Sequence, residues 1–199
     1  FKRHDGQAVT CDDFRMAMAD ANDADLNQFA RWYEQAGTPH VHASGKYDAA
    51  SQTYTLTFKQ SNPPVGIELE QPNLHKEPLH IPINLGLLAA HEMDDIAHGQ
   101  SLALDETGAH NRTLNLTEAE QTFTFHHIRC LPIPSLNREF GAPIVMHYEY
   151  SDAELLALLR HDSDAFNRWD AAQQLFTRVI LGAMAAPDSA HLSTELIEA

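Results

Sequence analysis

The apolar residues of this chain change their period twice, from helical to alternating and back, and that double switch constrains the fold more than any single motif. Up to residue 37 the period is helical. Thr10 and Asp13 have capping-box spacing, Asp12 and Asp13 put negative charge in the first turn, and Phe14, Ala17, Met18 and Ala21 recur on one helical face. After a break at Asn22-Asp23, Asp25 stands where it caps a second helix carrying Leu26, Phe29, Trp32, Tyr33 and Ala36. Gly37 stops that helix, and Thr38-Pro39 turns the chain into extended structure.

From residue 38 to 150 the period is two. Tyr54, Leu56 and Phe58 alternate with threonines, and Ile81, Ile83 and Leu85 with His80, Pro82 and Asn84; Pro82 implies an edge strand or a bulge. Leu102 with Leu104, Leu114 with Leu116, Phe123 with Phe125, and Ile144, Met146, Tyr148 and Tyr150 mark further short strands. Turn signals at Ser61-Asn62-Pro63-Pro64, Thr107-Gly108 and Gly141-Ala142-Pro143 separate them, so the middle of the chain reads as an antiparallel sandwich. At Ser151 the helical period returns. Ser151 caps a helix with Leu155, Leu156, Leu158 and Leu159. Ser163-Asp164 opens another with Phe166, Trp169, Ala172, Leu175, Phe176, Val179 and Ile180, which Met184-Ala185-Ala186-Pro187 ends; Ser189–Ala199 begins a further one. The expected fold class is mainly β with flanking helices.

Charge narrows the function. Thirteen Lys and Arg against 28 Asp and Glu give a net charge of -15, a field that repels phosphate backbones and anionic lipid, so neither nucleic acid nor a membrane surface is an expected partner. No apolar run approaches a membrane span. Cys11 and Cys130 read as reduced thiols, and with no secretory leader at the start a cytoplasmic location is expected.

Candidate chemistry is sparse. His91-Glu92-Met93-Asp94-Asp95 begins like the zinc-hydrolase motif HExxH, but Asp95 stands where the second imidazole belongs, and His98 is followed at once by Gly99; a solvated hairpin or loop is expected. His40 and His42 share one side of a strand, a legitimate metal spacing, yet no third ligand lies near in sequence, so they read as surface histidines. His126 and His127 point to opposite faces, one partly buried and one exposed. Asp12 and Asp13 beside Cys11 argue against a nucleophile there, leaving a structural thiol. Trp32 with Tyr33, and Phe166 with Trp169, read as core packing. No Gly-rich phosphate loop or Gly-x-Ser-x-Gly elbow occurs. No residue is assigned a catalytic, metal-binding or substrate-binding role.

An ordered series of stretches nevertheless has a likeness. Arg3-His4-Asp5-Gly6 precedes Thr10-Cys11-Asp12-Asp13-Phe14, then Arg31-Trp32-Tyr33 with Gln35-Ala36-Gly37-Thr38-Pro39. Tyr54-Thr55-Leu56-Thr57, Pro78-Leu79-His80-Ile81-Pro82 and Leu116-Thr117-Glu118-Ala119-Glu120-Gln121-Thr122-Phe123 follow. Arg138-Glu139-Phe140 with Ala142-Pro143, and His161-Asp162-Ser163-Asp164-Ala165-Phe166-Asn167-Arg168-Trp169, complete it. In this order the set resembles bacterial aminopeptidase N, a zinc metallopeptidase family of the gluzincin class.

The resemblance implies that residues 1–37 are the helical end of a catalytic domain, 38–150 an immunoglobulin-like β-sandwich and 151–199 the start of a helical C-terminal domain. It implies zinc and a peptide substrate for the parent enzyme, and those two domains as partners. The family's HExxH helix, its downstream Glu, and its substrate-binding and transition-state residues all lie upstream of the first stretch matched, so none falls on a position of this chain. The implied role is a non-catalytic spacer, inactive alone and without zinc of its own. The alternatives are a free-standing immunoglobulin-like binding module with a polar exterior, and a small metalloenzyme using His91, Glu92 and His98.

Overall fold

The computed structural model describes residues 2–71 and 74–185. Helix α1 (Cys11–Asn22) begins at the expected capping box. The Asp13 N–H donates to Thr10 Oγ1 at 3.2 Å, and the Asp13 carboxylate accepts from the Thr10 N–H at 2.9 Å. Two donors that a helix start leaves orphaned are thereby satisfied. No residue of α1 is buried, and Phe14, Met16 and Met18 lie exposed. The second helix is shorter than its periodicity predicts. A 3-10 turn (Gln28–Ala30) runs into the single turn α2 (Arg31–Glu34), and Asp25 accepts from the Asn27 N–H at 2.8 Å in a local turn. Trp32 packs on the sandwich core and its indole N–H donates to the His80 carbonyl at 2.8 Å, but Tyr33 is exposed, so only one of that pair is core.

Among the described residues, seven strands form two sheets. The first has the order β5-β2-β1-β7, from β1 (His40–Asp48), β2 (Thr53–Ser61), β5 (Glu120–Phe125) and β7 (Val145–His147). The second has the order β4-β3-β6, from β3 (Ile81–Ala89), β4 (Arg112–Leu116) and β6 (Pro132–Leu136). Tyr54, Leu56 and Phe58 on β2 meet Ile81, Ile83 and Leu85 on β3 in the core between the sheets. The pairs are antiparallel except β1–β7, which run parallel over three residue pairs.

Three strand expectations need correction. Pro82 lies in the central strand of its sheet, not an edge strand. However, β4 covers β3 from Ile81 to Leu85 and β6 from Leu85 to Ala89, so at Pro82 only the β4 side is paired and one flank has no ladder for its missing N–H to interrupt. Leu102 and Leu104 are buried without forming a strand; the chain there touches β3 through one bridge, Leu88 to Ser101. The alternation from Ile144 to Tyr150 yields only the three residues of β7.

Helix α3 (Asp152–His161) is capped by Ser151 and Glu154 in the same reciprocal way as α1, and α4 (Ala165–Ala185) follows. Both pack on the second sheet. Leu88 of β3 and Ile133 of β6 point away from the sandwich into a second core with Leu155, Leu158, Ala171 and Leu175. That explains why β3 is buried at every position from Leu85 to Ala89: each face has its own cover. Trp169 is exposed, so the Phe166–Trp169 pair is not core as expected. Pro187 and the Ser189–Ala199 helix lie outside the described residues. Among the described residues no helix is long and apolar enough to cross a membrane.

Candidate functional site

The most constructed polar site in the molecule is the junction where the sandwich meets α3 and α4. It starts at β6, whose Ser135 is fully buried between the second sheet and the helices. The chain then turns sharply: Asn137, Glu139 and Phe140 all have left-handed backbone, at φ 53°, 60° and 50°. None is glycine, and each such residue costs of the order of 1–3 kcal/mol unless its surroundings fix it. They do so here. The Asn137 amide donates to the Ala142 carbonyl at 2.9 Å and accepts from the Ala142 N–H at 3.0 Å, and the Glu139 N–H donates to Asp164 at 2.9 Å.

This turn aims Arg138 into the interior. Its guanidinium donates to Asp162 at 2.8 Å, to Ser163 Oγ and to Asn111 Oδ1. Gly86 makes room for it, because a Cβ there would lie 2.5 Å from Nη1. The second Asp162 oxygen accepts from Ser135 Oγ at 2.6 Å, and Asn167 donates to the same hydroxyl at 2.7 Å and to the Leu136 carbonyl at 3.1 Å. Asp164 also caps α4, accepting from the Asn167 N–H at 2.8 Å. Nearby, Tyr150 donates to the Pro134 carbonyl at 2.7 Å. Burial pushes that hydroxyl well above its ordinary range, and Tyr148 and the carboxylates of Asp170, Asp162 and Glu154 add to the shift, so it stays a neutral donor. With its donors and acceptors turned on one another, this arrangement fastens two units together.

Beside the junction runs a groove of about 1020 Å³. His147 of β7 and the following Tyr148 form one wall, and Phe140, Phe166 and Asp170 line the other side.

The sequence-selected residues are dispersed. Met93 and Ile96 close a tight turn through paired backbone bonds of 2.9 and 2.8 Å, so His91 and Glu92 lie exposed beside a hairpin. Asp95 is held by Arg129 at 2.8 and 3.2 Å, which keeps its carboxyl below the usual range. His98 instead meets His161, ring edge to ring face at 5.2 Å. His126 and His127 are both exposed rather than one partly buried, because β5 ends at Phe125 and His127 turns left-handed at φ 61°. Cys11 is exposed and Cys130 buried; both are free thiols, and burial pushes the Cys130 thiol up. His40 and His42 do gain a third imidazole, His147, which sequence distance concealed. Even so, among the described residues no three His, Cys, Asp or Glu side chains are posed to hold a metal ion, so the zinc implied for the parent does not fit the residues described.

Comparison with known proteins places the chain in company. Residues 37–149 match the family described as a domain of unknown function (DUF3458) with an Ig-like fold, and residues 152–199 match its companion DUF3458_C, described as ARM repeats. Aminopeptidase N of Escherichia coli K12 is 44% identical over 182 residues, 90% of this chain and 19% of that protein. Aminopeptidase N of Caulobacter vibrioides is 39% identical over 189 residues, 94% of this chain and 20% of that protein. The chain therefore spans about a fifth of the length of these relatives. Among solved structures, Legionella pneumophila aminopeptidase A in complex with aspartic acid superposes with a TM-score of 0.75 at 29% identity, covering 99% of this chain and 20% of the other.

Proposed function

Because the chain belongs to the DUF3458 family of Ig-like domains, we propose that it is the non-catalytic spacer of a zinc-dependent aminopeptidase, a larger enzyme that removes N-terminal residues from peptides. Residues 1–37 then end its catalytic domain, 38–150 are the sandwich, and 151–199 begin its C-terminal helical domain. Those two domains are its partners. Zinc, peptide substrate and a cytoplasmic location are assigned to the parent, and this stretch alone is inactive.

The carrying observation is where the apolar surface lies. Phe14 is 58% exposed on α1, and Trp169 and Ile180 are 56% and 58% exposed on α4; between these helices the sandwich closes its core, and its own most exposed apolar residues, Ile67 and Leu69, stand on the 3-10 turn Gly66–Glu70 outside both sheets. A helix such as α1, which buries none of its residues, draws little stability from packing, and its apolar side suits a neighbouring domain. The same surface weighs against a free-standing module with a polar exterior. The fastened junction supports the spacer role, since a spacer must hold one fixed geometry between the domains it separates.

The test compares Phe14→Asp and Ile180→Asp in the full-length enzyme and in this chain alone. Thermal stability should fall in the full-length enzyme and stay unchanged in the chain; equal effects in both would overturn the spacer reading. With an aminoacyl chromogenic substrate the chain alone should show no turnover, and chelator-sensitive cleavage would overturn its inactivity.

A further inference from the structure

His40, His42 and His147 form one stack on the outer face of the first sheet. The His40 and His147 rings lie 5.2 Å apart and the His42 and His147 rings 4.3 Å apart, each pair only 10° from parallel. His40 Nδ1 and His147 Nε2 share a hydrogen bond of 2.9 Å. One of those nitrogens must therefore be unprotonated to accept, and the pair cannot carry a proton on both facing nitrogens.

The location makes this consequential. β7 is an edge strand joined to β1 by three residue pairs alone, and His42 faces His147 in that register. Lys59 of β2 faces His42 from the other side, with Glu120 of β5 beyond it at 3.3 Å from the Lys59 ammonium. Charging His42 and His147 thus completes a row of three cations across adjacent strands, and like charges directly opposite one another destabilise strand pairing. The acidic groups of the neighbouring groove are Glu149, next to β7, and Asp170 on α4; α3 contributes Leu155 and Leu158 to that lining. Burial, then His42 and His40, already hold the His147 imidazole below its ordinary range.

We propose that His40, His42 and His147 are an acid-sensitive clasp, which holds β7 on β1 in neutral solution and releases it as the imidazoles take up charge. Release is local, because Arg138 and Asp162 fasten the helices independently of β7. It frees the wall of the groove that β7 forms.

Hydrogen–deuterium exchange of the full-length protein at pH 7.5 and 5.5, corrected for intrinsic rates and read on peptides spanning residues 143–150, tests the clasp. The Val145 N–H, bound to the Pro39 carbonyl at 2.9 Å, should lose about ten-fold in protection on acidification, the scale of one pK unit of coupling. The Leu85–Ala89 ladder should keep its protection. His147→Gln should level the two conditions, and His42→Gln, which removes the opposed cation and leaves the His40–His147 bond, should lessen the loss. Equal protection at both pH values in the parent protein, or an undiminished acid loss in both variants, would overturn the proposal.

Discussion

The guanidinium of Arg138 sits 2.8 Å from the carboxylate of Asp162, and the two side chains are 8% and 0% exposed. Arg138 follows β6 and Asp162 follows α3, so the contact crosses from the sandwich to the helices. Removing one partner leaves an uncompensated buried charge, which costs on the order of 3–5 kcal/mol. Arg138→Ala should therefore lower the urea midpoint sharply, and so should Asp162→Asn, which takes the negative charge from beneath the guanidinium. A change below about 1 kcal/mol in either variant would mean that water reaches the pair.

Gly86 and Gly182 give opposite expectations for the same substitution. Alanine at Gly86 puts a methyl 2.5 Å from Arg138 Nη1, on a guanidinium already held by Asp162 and Asn111, so it has no free direction in which to yield. Overpacking of this kind costs about 1–3 kcal/mol. Gly182 lies within α4, where a Cβ meets nothing within 4 Å, and Gly182→Ala should raise stability by roughly 0.5–1 kcal/mol through backbone entropy. Chemical denaturation of both variants checks the pair of signs.

Features encoded within a few residues were legible in the sequence. Thr10 with Asp13 and Ser151 with Glu154 marked two helix starts, and the alternation of Tyr54, Leu56 and Phe58 marked β2. β6 escaped notice because Pro132 and Pro134 look like strand breakers and all five of its residues are buried, which erases alternation. Leu102 and Leu104 have the spacing of a strand, but burial of a loop against β3 produces the same pattern. The junction and the histidine stack join residues far apart in sequence: Arg138 meets Asp162 after 24 residues and His40 meets His147 after 107. No local period announces such pairs; the folded sheet and the helix corner bring them together.

The two capping boxes should differ in consequence. Ser151→Ala removes the acceptor of the Glu154 N–H at the start of a helix that buries Leu155 and Leu158, so about 1 kcal/mol should appear in global unfolding. Thr10→Ala deletes the same motif from α1, which buries nothing; in the isolated chain it should reduce helical circular dichroism and leave the urea midpoint nearly unmoved. Equal shifts in the midpoint would show that α1 unfolds together with the sandwich.

His161 predicts a dependence on pH. It ends α3 with its ring over Gly99, where a Cβ would lie 2.3 Å from the ring, and His98 meets it edge-on at 5.2 Å. Burial, then His98 and Arg160, depress its basicity below the ordinary 6.5, outweighing the pull of the helix C-terminus toward a cation. In the window just below pH 6.5 the unfolded chain takes up this proton before the folded one does. The contribution is therefore fully present above that value and is lost as pH falls through the depressed one. Urea midpoints measured between pH 7.5 and 5.5 should decline, and His161→Gln should flatten part of the decline while leaving the segment around β7 as sensitive as before. If the variant and the parent chain trace the same slope, His161 takes up its proton at the same pH folded and unfolded, and burial does not depress it.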